Sequence, residues 1–402
     1  MKISGFNIIT LCIAALALGL ASCHETYTGH GTDMSGDDKL KEWGLEDSIP
    51  QTNEYKPLIV AISDPSYSSV TTTRGLGAFD SELPDSVIQY QQRNATFHVF
   101  AFDAAVSTSF NTTRAQDSTL CLLDNAASHI ANAASMMLTF DNNQSFYWPS
   151  KEHFRTYDLW AYYTDTTDVE MTRTSDRIVL NFDIDGSQDV LAGKAMLTTK
   201  QKNRAEAHQY REKIEANLFS FYTAYHDFIP VVNLKHQLTR LRFNVTGGDE
   251  YSNGIIIDSI QVLSPYKCKL TVVSKDDALL GSTFAEETRW LSLRDIDSTA
   301  VVAQGEKLAL GKSMLLPPAD TLCIKINAHK LDENRQAFEA FPQGNITFAT
   351  MPKGKFKAGN QYDVNLTVFG PQEIVASCVL TGWVKGDDVT INPADDEFQT
   401  GN

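Results

Sequence analysis

Apolar residues recur at every second position in short runs along this chain, bounded by turn-forming Gly, Pro, Asn and Asp, which is the spacing of β-strands with one or both faces buried. The first run, YKPLIVAIS within Tyr55–Val70, is apolar on both parities and so calls for cover on both sides. Phe97–Phe102 and Tyr157–Tyr163 follow as aromatic-rich strands. In Val232–Val245 the period slips: Leu234, His236 and Leu238 share one parity, and Leu241, Phe243 and Val245 share the other. A β-bulge near Thr239–Arg240 restores the phase of a single strand. Beyond it, strands are expected at Ile255–Leu263, Lys267–Val273, Met314–Leu316, Thr321–Asn327, Asn345–Thr350, Tyr362–Val368 and Glu373–Val384.

One stretch reads as a helix. In Gln201–His226 the apolar residues Tyr210, Ile214, Leu218, Phe221 and Tyr225 recur at three or four positions with charges between them. A single amphipathic helix in a β protein suits the junction of two sandwiches, which places a domain boundary near Asp227. Ala126–Met137 fits a short helix or the flank of a strand. Asp183–Asp189 has the flavour of a calcium loop but lacks the full spacing and terminal Glu, so a turn between strands is the simpler reading. The pattern as a whole is mainly β, and 402 residues suffice for two cores.

Charge narrows the choice of partners. Fifty acidic residues against 34 basic give a net charge of −16, which repels phosphate backbones and anionic headgroups, so no nucleic-acid partner is expected. At the N-terminus, Met1-Lys2 and the apolar run Ile8–Leu20 form a signal-peptide core too short to span a bilayer. It ends in Leu20-Ala21-Ser22-Cys23, a lipobox, so residues 1–22 are expected to be removed and Cys23 acylated. Residues 23–54, rich in Gly, Asp, Ser and Thr, then read as a lipidated tether. The thiols of Cys121, Cys268, Cys323 and Cys378 lie far apart without metal-ligand spacing.

A search for chemistry yields little. His24-Glu25 with His30 is not a metalloprotease motif, Gly75-Leu76-Gly77 is not a dinucleotide fingerprint, and no nucleophile elbow or phosphate loop occurs. His236, set in a row of leucines, reads as a core-facing histidine satisfied by a backbone partner, since no catalytic partner is evident nearby. No enzyme, cofactor or metal site is expected.

Four stretches, in order, resemble the fimbrillin family of Bacteroidetes pilus subunits. They are Phe97-His98-Val99-Phe100-Ala101; Tyr147-Trp148-Pro149 with Ala161-Tyr162-Tyr163; Leu234-Lys235-His236-Gln237-Leu238-Thr239-Arg240-Leu241; and Ala358-Gly359 with Tyr362, then Gly382-Trp383. Asp189-Val190-Leu191-Ala192 is similar to the turn before the family's second half. The resemblance implies two tandem transthyretin-like Greek-key β-sandwiches, here 55–227 and 228–393, with an acidic tail at 394–402. It also implies a lipoprotein precursor carried to the outer membrane and cell surface. Such pilins lose their first strand to a protease, and the C-terminal strand of another subunit fills the vacancy. Arg74, followed by Gly75, is either the processing site or a solvated loop residue, and Ile374, Ala376, Cys378 and Leu380 form the donor face. Partners would be other pilin subunits, the membrane through the lipid, and a host protein or glycan receptor. The alternative is a surface lipoprotein that never polymerises, acting as pilus anchor, tip adhesin or glycan-binding module.

Asp47-Ser48-Ile49 and Asp85-Ser86-Val87 match a Bacteroidetes O-glycosylation pattern, making Ser48 and Ser86 candidate acceptors. Asp258-Ser259-Ile260 also matches but lies in an expected strand, so it should stay bare.

Overall fold

The computed structural model describes residues 55–63, 87–166, 168–248, 254–334, 336–340, 345–350, 356–370 and 373–380. Along the chain come β1 (Ala61–Ile62), α1 (Val87–Gln92), β2 (Phe97–Asp103), β3 (Cys121–Asn132), β4 (Met137–Phe140), β5 (Tyr157–Thr164), β6 (Glu170–Arg173), β7 (Arg177–Asp183) and β8 (Val190–Met196). Three short helices follow, α2 (Thr199–Glu206), α3 (Arg211–Ala216) and α4 (Phe221–Tyr225). Then come β9 (Val231–Val232), β10 (Lys235–His236), β11 (Thr239–Gly247), β12 (Ile255–Pro265), β13 (Lys267–Ser274), β14 (Gly281–Phe284), β15 (Thr288–Ser292) and β16 (Val301–Val302). The last are β17 (Lys307–Leu316), β18 (Thr321–Leu331), β19 (Ala337–Ala340), β20 (Asn345–Thr350), β21 (Gln361–Gly370) and β22 (Glu373–Leu380). The chain is mostly β, as its apolar spacing leads one to expect.

The largest sheet has the order β10-β8-β5-β2-β3-β4-β1-β9, and β9 also pairs with β8. β9 and β10 both run antiparallel to β8, at Ala195↔Val232 and Ala192↔Lys235, so this sheet closes on itself. β2 shows why it needs cover on both faces. Phe100 and Phe102 belong to a core shared with Trp160, Leu180 and Leu270, whereas Phe97 turns the other way, its ring 5.9 Å from Tyr90 and 5.4 Å from Tyr163.

A second sheet, β14-β13-β7-β6, covers the Phe100 side. Its central pair joins chain from either side of Asp227, with Leu270 opposite Leu180. The other two sheets, β17-β11-β21-β22 and β15-β12-β18-β19 with β16 and β20 attached, enclose a separate core of residues such as Leu241, Phe243, Ile260, Ile324, Tyr362 and Val364.

The stretch Val232–Val245 is not one strand with a bulge at Thr239–Arg240. It is β9, β10 and β11, and the phase slip marks a change of sheet. Leu238 packs in the first core, while Leu241, Phe243 and Val245 pack in the second. Between them the backbone changes partners: the Gln237 N–H donates to Val190 O at 2.9 Å, and the Arg240 N–H donates to Asn360 O at 2.9 Å. The register irregularity that β11 does carry lies later, between Leu241 and Phe243 against β17.

The single helix expected over Gln201–His226 is likewise broken into three. Thr198 caps α2 through a capping box with Gln201, and Ser220 caps α4 through one with Thr223. Phe219, at φ +55°, turns the chain just before that second cap. The apolar period was real: Ile214 and Phe221 are buried. Periodicity alone does not register a capping serine within the stretch. Ala126–Met137 resolves as strand, entering β3 and reaching β4 through a turn at 133–136.

Candidate functional site

The segment from Pro57 to Ser63 lies between two neighbours. On one side the Leu58 N–H donates to Phe146 O at 2.8 Å, the Leu138 N–H to Val60 O at 2.9 Å, and the Ile62 N–H to Met136 O at 3.0 Å. On the other, the Ala61 N–H donates to Pro230 O at 3.0 Å and the Ser63 N–H to Val232 O at 2.7 Å. β1 is thus antiparallel to β4 and parallel to β9. Leu58, Val60, Ala61 and Ile62 are all buried, which meets the two-sided apolar pattern of the sequence. Taking this segment away would leave two unpaired strand edges facing each other across an apolar slot.

A group of buried polar side chains joins α1, β10 and Asp189, the residue just before β8. Tyr90 on α1 donates its hydroxyl to Asp189 Oδ2, and Asp189 Oδ1 is 2.8 Å from His236 Nδ1 on β10. The Val190 N–H donates to Asp189 Oδ1 at 2.9 Å. Next to it, Asp165 accepts the Tyr163 hydroxyl and, at 3.1 Å, the Asp189 N–H. Burial alone would raise the Asp189 carboxyl. The facing His236 imidazole, with hydrogen bonds from His236, Tyr90 and the Val190 N–H, outweighs burial and holds it below the usual carboxylate value. Asp165 goes the other way, raised by burial against the hydrogen bonds from Tyr163 and the Asp189 N–H.

The His236 and Asp189 side chains are only 6% and 2% exposed. This pair therefore ties elements together out of reach of a substrate. The expectation of a backbone partner for His236 missed a carboxylate 47 residues earlier. The available signal was Asp189 itself, an acid placed directly before the apolar run Val190-Leu191-Ala192.

The donor-face residues Ile374, Ala376, Cys378 and Leu380 fall on β22, opposite Val368, Leu366, Val364 and Tyr362 of β21. β21 is its only ladder partner among the described residues, so β22 is an edge strand. Ile374 and Ala376 pack half-buried against the second core. Cys23, Ser48, Arg74, Gly75 and Ser86 lie outside the described residues. Cys121 and Cys268 are free, buried thiols, and burial pushes each up to about 12. Asp185, in the calcium-like stretch, accepts hydrogen bonds from the Ser187 N–H and hydroxyl at 2.7 and 2.6 Å, the geometry of a turn.

The chain matches a family described as fimbrillin-like over residues 92–383. No curated protein matches it. A solved fimbrial protein from Bacteroides vulgatus, 13% identical, superposes with a TM-score of 0.51 over 82% of this chain and 100% of that one, which shows a common fold. Two fimbrial proteins of Porphyromonas gingivalis superpose too loosely to bear on the comparison. The anchor protein Mfa2 is 11% identical over 82% of this chain and 98% of its own, with a TM-score of 0.36. The tip protein Mfa3, solved with a C-terminal truncation, is 7% identical over 81% of this chain and 100% of its own, with a TM-score of 0.37.

Proposed function

This chain belongs to the fimbrillin-like family, and on that premise we propose that it is a structural pilus subunit, exported as a lipoprotein precursor and assembled by strand exchange after proteolytic removal of its first strand. Family membership itself makes it a fimbrium-associated, cell-surface protein with a structural rather than catalytic role and other fimbrial subunits as partners. In the fuller reading, Cys23 carries the lipid that holds the precursor to the outer membrane, and Ser48 and Ser86 accept glycans. The two cores are those of transthyretin-like sandwiches, the first completed by β9, β10, β13 and β14 from beyond residue 227.

The observation that carries strand exchange is the position of β1. It is bonded along both edges, parallel to β9 and antiparallel to β4, and it is apolar on both faces. Burial of Leu58, Val60 and Ile62 is worth about 5–9 kcal/mol before association costs. A strand of similar length and apolar character is the fitting replacement. β22 has that character and stands at a sheet edge.

The test is trypsin-type cleavage of the purified precursor. A ladder of oligomers resistant to mild detergent is expected from the parent, and a folded monomer from Arg74→Ala. A cleaved parent that stays monomeric, or an Arg74→Ala variant that polymerises equally well, would replace this reading with that of a non-polymerising anchor, tip adhesin or glycan-binding lipoprotein.

A further inference from the structure

The three short helices close around one histidine. His226 ends α4, and its ring is packed edge-on by Tyr222 at 4.7 Å and by His208 of the α2–α3 link at 5.3 Å, with the Tyr210 and Tyr225 rings at 6.2 and 6.0 Å. Its Nε2 is buried and meets no hydrogen-bond partner among the described residues, and the same holds for the hydroxyl of the buried Tyr222. His208 is placed by its Nδ1, which accepts the Tyr210 N–H at 3.1 Å.

The groups that face this ring would not welcome a proton. Arg204 of α2 donates to His226 O at 3.3 Å and to Asp227 O at 2.7 Å, which brings its guanidinium alongside. Lys56, at the head of the first segment, lies over the Tyr225 ring at 5.9 Å. Asp227 is the facing carboxylate, but it is 79% exposed and already holds the Lys56 ammonium at 3.3 Å. A charge on His226 would thus stand among two fixed cations and a second imidazole, with nothing to accept from its Nε2. Burial pushes His226 down to about 4, with His208, Arg204 and Lys56 acting in the same direction and Asp227 against it. His208 is lowered as well, by burial and then by Arg204.

This cluster also holds α4 in its seat. The Tyr222 N–H donates to His153 O at 3.0 Å, the Phe221 ring lies 5.0 Å from the His153 ring, and the Tyr222 ring lies 5.4 Å from Phe154. Lys56 joins the first segment to the same place, since its carbonyl accepts the Trp148 N–H at 3.0 Å while its ammonium reaches Asp227.

We propose that the His208–His226 pair is an acid-operated latch: uptake of a proton there unseats α4 from His153 and loosens Lys56, while the closed sheet stays formed. The neutral imidazole suits the closed arrangement. Closure is therefore complete above the ordinary histidine value of about 6.5 and is lost as pH falls from there towards about 4. The latch is independent of strand exchange, because α4 opens whether or not the first segment is ever replaced.

Hydrogen exchange of the full chain, followed by mass spectrometry between about pH 7.5 and about pH 5 and corrected for the intrinsic effect of pH, tests it. The amides of Tyr222, Ala224 and Phe228, which donate to His153 O, Ser220 O and Thr223 O, should lose protection by about tenfold or more. Those of β2 and β5 should keep theirs. His226→Phe retains a ring without a proton site, so protection of α4 should no longer change with pH. His208→Gln removes the second imidazole and should move the loss to lower pH. Should His226→Phe disturb the helices, seen as protection already lost at the higher pH, His208→Gln decides alone. Protection of α4 in the parent that does not change with pH overturns the proposal, as does a loss that follows the same pH course in the variants. A loss shared equally by β2 and β5 overturns it too, because the whole fold is then responding rather than a latch.

Discussion

The Ser63 hydroxyl accepts the Leu234 N–H at 2.9 Å, so one buried bond ties the end of the first extended segment to the link between β9 and β10. Ser63 also donates its own N–H to Val232 O. Ser63→Ala leaves the Leu234 donor buried without that acceptor and should cost about 1–2 kcal/mol in urea denaturation. The cleaved variant should release its first strand faster than the cleaved parent, read by exchange with a labelled peptide of residues 55–63. An unchanged stability would show that the bond contributes nothing net.

The Asp189–His236 pair makes stability depend on pH. Asp189→Ala should cost about 3–5 kcal/mol at neutral pH, because His236 and Tyr90 lose a buried acceptor. Asp189 binds its proton less readily folded than unfolded. Its contribution is therefore complete above the ordinary carboxylate value of about 4 and is lost as pH falls through the lowered folded value. Asp165, raised by burial, has the opposite sign: it disfavours folding at neutral pH and is relieved on acidification. Between about pH 6 and about pH 3, the urea midpoint of Asp189→Asn should fall less than that of the parent, and that of Asp165→Asn should fall more.

Gly193 stands where β8 passes closest to the β9–β10 link. A Cβ there would sit 1.9 Å from the Asn233 carbonyl oxygen, which is backbone and has little room to give. Gly193→Ala should therefore cost about 3 kcal/mol or more, and hydrogen exchange should quicken first at the Asn233 amide, which donates to Lys194 O.

Cys23→Ala should leave an unprocessed precursor without lipid, seen as loss of metabolic fatty-acid labelling. Intact-mass analysis of the native mature protein should also show added sugar attributable to Ser48 and Ser86, with Ser259 bare. Ser259 lies within β12, where its hydroxyl accepts from Asn327 Nδ2 at 2.8 Å.

Most strands were legible because burial on one or both faces forces a two-residue apolar period, and Phe97–Phe102 and Tyr157–Tyr163 carry it plainly. What the period does not encode is which sheet a strand joins. Leu238 and Leu241 look like neighbours slipped by one residue, yet they serve different cores. Short polar strands such as β6 and β14 escaped notice because they bury little of their own and are held by main-chain pairing to β7 and β13. The tie at His236 escaped for a related reason: a buried imidazole announces that it needs a partner, but that partner is chosen by topology, in which β10 returns to β8 beside Asp189.

The closed sheet has a consequence for a subunit in transit. While β1 sits between β4 and β9, the edges that those two strands turn toward it are both occupied. Subtracting the single segment from Pro57 to Ser63 frees both edges at once, one on β4 and one on β9, of opposite polarity. In the strand-exchange assembly proposed above, latency is a matter of ring topology rather than of a masking contact, and stickiness arrives as a step instead of a gradient.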